Sequence, residues 1–110
     1  MKEQRLAAVR SEIIAERAAS LRLSEQRLRD ALAALVRHDV LATQSGPRHV
    51  DPAGDKRRAR LRNAASTACL VYIIQRETLG MSAGDLPRLR QELGVPDDVW
   101  NEMGAAPPPP

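Results

Sequence analysis

The most concentrated chemical character in the chain lies in Lys56-Arg-Arg-Ala-Arg-Leu-Arg62. There Lys56, Arg57, Arg58, Arg60 and Arg62 place five positive charges with no carboxylate between them. Cations in the opening turns of a helix oppose the positive end of its dipole, at about 0.3–1 kcal/mol per exposed group. Asp55 offsets only part of that cost. The belt therefore asks for compensation by carboxylates elsewhere in the chain, by a partner protein, or by phosphate, which helix N-termini also favour. After Arg62 the chain carries six acidic residues against three basic ones, so pairing within the chain ranks first. A protein partner ranks second and nucleic acid third. With no Phe, one Trp and one Tyr there is little to stack on single strands. The Gly94-Val-Pro96 turn has the look of a helix–turn–helix, but it leads into Asp97, Asp98 and Glu102, which a duplex would repel.

Other chemistry is thinner. His38, His49, Asp39, Asp51 and Cys69 are the residues with metal-ligand character beyond scattered carboxylates. The two histidines stand eleven apart, and neither a His-x-x-x-His nor a Cys-x-x-Cys pair occurs, so no metal site is expected. His38 reads instead as a histidine near the C-terminal dipole of a helix. Cys69 sits in an apolar run without a nearby histidine, which marks a structural thiol rather than a nucleophile. Glu12 and Glu16 share a helix face, yet two carboxylates alone make no acid–base site. No glycine-rich phosphate cradle is present. The expectation is a protein without catalysis or cofactor.

The element that must position these groups is Arg62 to Gln75. Its core, Ala68 to Ile74, is a seven-residue apolar run that is too short to span a bilayer. It reads as a helix buried on several sides, with Leu61, Ala65, Ala68, Tyr72 and Leu79 forming one stripe and Leu70, Val71, Ile73 and Ile74 widening it. The composition is 43% hydrophobic, built on Leu, Ala, Val and Ile, and favours helix over strand. The fold-class expectation is all-α, in one domain over residues 1–104.

Upstream, no Gly or Pro occurs between Met1 and Ser45. Ala7, Ile14, Leu21, Leu28 and Leu35 recur every seven residues, with Leu6, Ile13, Ala18, Ala31 and Leu32 beside them, which predicts one helix over about 3–41. At 1.5 Å per residue it would run roughly 55–60 Å. Residues 42–55 hold Gly46-Pro47 and Asp51-Pro52 and read as a loop. A second helix is expected over 56–79, with Asp55 as N-cap and Gly80 as the residue past its end. Ser82-x-x-Asp85 resembles a capping box for a third helix over 83–93, and Pro96 opens a fourth over 97–103. The tail 105–110 is expected to be extended and disordered.

A lone cysteine makes no disulfide framework and suits a reducing cytoplasm. The N-terminus lacks the apolar core of a signal peptide, and no segment approaches the length of a membrane span.

The pieces Glu12-Ile-Ile-Ala-Glu-Arg-Ala18, Val71-Tyr-Ile-Ile-Gln-Arg-Glu77 and Leu93-Gly-Val-Pro96 with Met103-Gly104 resemble a family of small helical bacterial proteins of unknown function. The resemblance implies a small all-helical bacterial chain and brings no catalytic residue with it.

A second helix of about 25 residues cannot cover a first of nearly 40. That mismatch predicts self-association, most simply as a dimer, with Ile14, Leu21, Leu28, Leu70, Val71 and Ile74 as candidate contacts. The functional expectation is a helical protein–protein interaction module, an adaptor or regulatory subunit. The alternative is a nucleic-acid-associated protein that uses the basic belt.

Overall fold

The structure is a computed structural model, and it describes residues 2–44, 52–81 and 86–104. They form four helices: α1 (Lys2–Gln44), α2 (Pro52–Thr78), α3 (Leu86–Leu93) and α4 (Asp97–Gly104). Among the described residues there is no strand. The all-α expectation holds, and so does the single long first helix.

The boundaries moved for identifiable reasons. α1 runs on through Ala42 and Thr43, whose Oγ1 donates back to the Asp39 carbonyl at 2.9 Å. α2 starts at Pro52 rather than residue 56. Proline suits a first helical position because its φ is preset and its missing N–H would have no partner there. Asp55 is thus not an N-cap but a carboxylate in the first turn, where it still complements the dipole. Gly46, Pro47, His49, Asp51, the Ser82–Asp85 box and the tail 105–110 lie outside the described residues.

Two glycines close helices as expected. At Gly80 (φ 77°) the amide donates to the Glu77 carbonyl at 2.9 Å, and the Met81 amide reaches the Arg76 carbonyl at 3.0 Å. At Gly94 (φ 68°) the same pattern joins Gly94 to Gln91 at 3.2 Å and Val95 to Arg90 at 3.1 Å. Both are Schellman closures, which satisfy carbonyls at the helix end and need a residue that tolerates positive φ. Pro96 then offers its carbonyl to the Trp100 amide at 3.0 Å and launches α4.

α1 and α2 form an antiparallel hairpin. Ser24 Oγ donates to Gln75 Oε1 at 2.5 Å near one end, and Arg58 Nε donates to Asp39 Oδ1 at 2.8 Å near the other. Between these marks, Leu28, Leu32 and Leu35 meet Ala65, Cys69, Tyr72 and Ile73 in the core. α4 packs against α2 and adds Val99, while α3 and the turn after it add Leu89 and Val95. Leu86, Leu93, Trp100 and Met103 pack at the margin.

The core therefore occupies only part of the molecule. α1 has 43 residues, roughly 64 Å of helix, and α2 has 27, roughly 40 Å. The chain extends 71 × 31 × 29 Å with a radius of gyration of 18.5 Å, against about 13 Å for a compact domain of this size.

Candidate interaction surface

The basic belt divides into two kinds of residue. Arg58 and Arg62 sit four residues apart on the side of α2 that meets α4, where Asp98 and Glu102 have the same spacing. Arg58 donates to Asp98 at 3.0 Å as well as to Asp39 on α1. Arg62 Nε donates to Glu102 Oε2 at 2.9 Å. One turn further along α2, the buried Ser66 hydroxyl donates to the Val99 carbonyl at 2.9 Å. The arrangement joins three helices through Arg58. Its two carboxylates raise the Arg58 pKa further, and the hydrogen bond from Arg58 holds the Asp39 carboxyl below its ordinary value. Lys56, Arg57 and Arg60 point outward and are exposed. As a five-residue contact surface the belt is thus split: two members hold the fold together and three face solvent.

Cys69 is buried, and burial pushes its thiol pKa up, which suppresses the thiolate needed for nucleophilic chemistry. His38 stands six residues before the end of α1 rather than in its last turn, because the helix runs on to Gln44. Its buried Nδ1 lies 3.7 Å from Asp39 Oδ1, too far for a hydrogen bond. Among the described residues, no group of three or more His, Cys, Asp or Glu side chains is arranged to hold a metal ion.

The apolar surface is only partly used within the chain. Ala68–Ile74 is not enclosed on several sides within the chain. Cys69, Tyr72 and Ile73 face the core, but Leu70, Val71 and Ile74 turn outward with 43%, 43% and 50% of their surface exposed. On α1 every residue from 2 to 17 is exposed, including Leu6, Val9, Ile13 and Ile14. Of the six residues expected to mediate self-association, Ile14, Leu70, Val71 and Ile74 are on the surface. Leu21 is half-buried against the chain's own core, and Leu28 is wholly inside it, so Leu28 contributes to folding and not to a contact face.

A further feature joins the two helices on the side away from α4. Ser24 and Arg27 from α1 and Ala64, Thr67, Ala68 and Val71 from α2 line an open groove of about 390 Å³. Small side chains on α2, Ala64 and Ala68 among them, help line it. Sequence reasoning passed over Val9, although it completes the i, i+3, i+7 series Leu6, Val9, Ile13. It also passed over Ser24 and Ser66, whose buried hydroxyls show no periodic signal.

The fold and surface define a class: an all-helical hairpin closed at one end by two short helices, with the other end of its longest helix uncovered. The chain belongs to the family described as one of unknown function (DUF6665), which matches residues 2–110. No curated protein and no solved structure matches it. Among the described residues no helix is long and apolar enough to cross a membrane.

Proposed function

We propose that the chain is a non-catalytic helical interaction module, an adaptor or regulatory subunit that associates with itself. The observation that carries this reading is the uncovered stretch of α1 over residues 2–17, roughly 24 Å of helix with an apolar stripe and no neighbour among the described residues. An isolated helix of that length is marginal in water and gains stability chiefly by packing its apolar face. The exposed Leu70, Val71 and Ile74 add a second uncovered face. Contiguous apolar surface of this kind marks interaction sites more often than it stands free. The lone buried thiol of Cys69 suits a reducing bacterial cytoplasm.

Light scattering after size-exclusion chromatography at tens of micromolar tests the reading. The expected mass is twice that of the 12.1 kDa chain, and a clean monomer would overturn it. The alternative, nucleic-acid contact through the belt, is left with Lys56, Arg57 and Arg60, since Arg58 and Arg62 are committed to carboxylates. Salt-dependent binding of duplex DNA, lost in Arg57→Glu/Arg60→Glu, would favour that alternative.

A further inference from the structure

We infer that the uncovered part of α1, residues 2–17, beds into the groove between α1 and α2 of a second copy, each copy lending its overhang to the other. The inference rests on the self-association proposed above and names both halves of the contact.

The groove suits a helix. Ser24, Ala64, Thr67 and Ala68 are small lining residues that let another backbone come close. Val71 lines it as well and stays 43% exposed, and Ile74 borders it three residues on. Leu6, Val9 and Ile13, all exposed, give the overhang the i, i+3, i+7 anchors with which a helix seats itself in an apolar groove.

Area separates one contact from two. A helix about 10 Å across that beds roughly 24 Å of its length in a groove removes on the order of 750 Å² from solvent, both surfaces counted. Made once, that falls short of the about 1,200 Å² at which stable interfaces begin; made twice, it reaches about 1,500 Å². Overhang laid on overhang is a single contact, whereas overhang in groove occurs twice by symmetry.

That symmetry also fixes the direction. A two-fold axis along the helices would set overhang beside overhang and leave both grooves empty. An axis perpendicular to α1 lets each overhang reach the other body. Because α1 and α2 are antiparallel, the overhang then runs antiparallel to the α1 that receives it and parallel to the α2. Both α2 helices fall on one side of the α1 pair, so their C-terminal ends meet at the axis and limit the overlap. Gln75 Nε2 donates to Ser20 Oγ at 3.5 Å, which sets the last turn of α2 beside Ser20. The axis therefore lies near Ala18 and Ala19.

The charge at the groove agrees with this occupant. Arg27 is the charged residue of its lining. Among the described residues no ion pair engages Arg27 or Glu12. At 100° per residue Glu12 lies on the flank of the overhang that faces the receiving α1, and the register brings it within a turn of Arg27 of the second copy. Near the axis the two Arg17 side chains approach each other, with a Glu77 carboxylate level with each. Lys2 falls at the outer end of the contact, where its ammonium reaches solvent.

The substituted positions are on the surface, and circular dichroism would verify that each variant folds. Val9→Asp, in the overhang, and Val71→Asp, in the groove, are each expected to weaken the dimer more than about tenfold by sedimentation. Glu12→Arg and Arg27→Glu should each weaken it several-fold at low salt, and an equimolar mixture of the two should recover it. Within one chain these residues stand roughly 22 Å apart along α1, so recovery reports a contact between copies. A nitroxide on Lys2→Cys, with Cys69 buried and unlabelled, should give a separation of roughly 50 Å between copies by pulsed electron resonance.

A dimer lost in Val9→Asp but kept in Val71→Asp, with nitroxides half that distance apart or closer, would place overhang on overhang and overturn the inference. A dimer lost in Val71→Asp alone would move the contact to α2 on α2 and overturn it too, while sparing self-association. A wild-type monomer would remove self-association itself.

Discussion

The two ends of α1 share one helix and one continuing apolar stripe, yet they live in different surroundings. From Leu21 to Asp39 the stripe is roofed by α2, with Leu28 and Leu35 sealed and polar pairs holding each end of the contact. From Lys2 to Arg17 the same helix has no roof, and its hydrophobic residues stand in solvent. Helix propensity and periodicity are similar in both halves, so neither explains the difference. The deciding quantity is how far α2 reaches. Nothing in α1 itself marks where cover stops, and the stretch beyond is shaped for contact without being used for folding.

The largest expected effect tests that division directly. Leu28→Ala should cost about 2–5 kcal/mol, because the side chain is completely buried and its neighbours collapse only partly into the space left. Ile14→Ala, at 66% exposure, should stay within about 0.5 kcal/mol when chemical denaturation is followed at concentrations too low for association. Comparable losses at the two positions would mean that the distal half is covered within the single chain.

A smaller effect belongs to the connection that closes the covered end. Gly94 adopts φ 68° with nothing within 4 Å of where a Cβ would lie, so its constraint is conformational rather than steric crowding. Gly94→Ala should cost roughly 1–2 kcal/mol and lower the midpoint of global unfolding, since the turn sets Val95 and Val99 into the core. A glycine placed at Ala8, in the uncovered half, should behave differently. It should speed amide exchange across residues 2–17 while leaving the global midpoint in place, as expected where local opening is uncoupled from the core.

Much of this fold was legible because its signals are local. The absence of Gly and Pro before Ser45 announced α1, and Gly80 and Gly94 marked real helix ends. The start of α2 was misread because Pro52 was taken as loop chemistry, though proline is equally at home in a first helical turn. How much of α2 the chain itself would cover was not legible, for a deeper reason. A continuous apolar run states that a helix carries grease all round; it does not state how many neighbours arrive. Here α1 covers one side and α4 another, which leaves Leu70, Val71 and Ile74 outside. The belt offered a clue that went unused: Arg58 and Arg62 share the four-residue spacing of Asp98 and Glu102. Matching intervals on two helices allow two ion pairs to form side by side, but only their juxtaposition reveals which arginines they take.

The smallest effect concerns the polar fastening at the far end of the covered half. Asp39 accepts from Arg58 Nε at 2.8 Å and from Nη2 at 3.2 Å, and this hydrogen bonding, opposed by some desolvation, lowers its pKa below the ordinary carboxylate value. The unfolded chain binds the proton more readily than the folded one, so the contribution is fully present above the unfolded pKa, near 4, and is lost as pH falls through the lower folded value. Because the Asp39 side chain remains 45% exposed, solvent screening should keep this below about 1 kcal/mol. Asp39→Asn should therefore reduce stability slightly at pH 7 and flatten the acid limb of the stability profile below about pH 4. An Asp39→Asn variant whose acid limb kept its wild-type shape would show that the acid sensitivity does not come from the junction between α1, α2 and α4. Asp98, the other carboxylate on Arg58, would still hold the guanidinium in Asp39→Asn, so the fold should survive with only the α1 side of the fastening released.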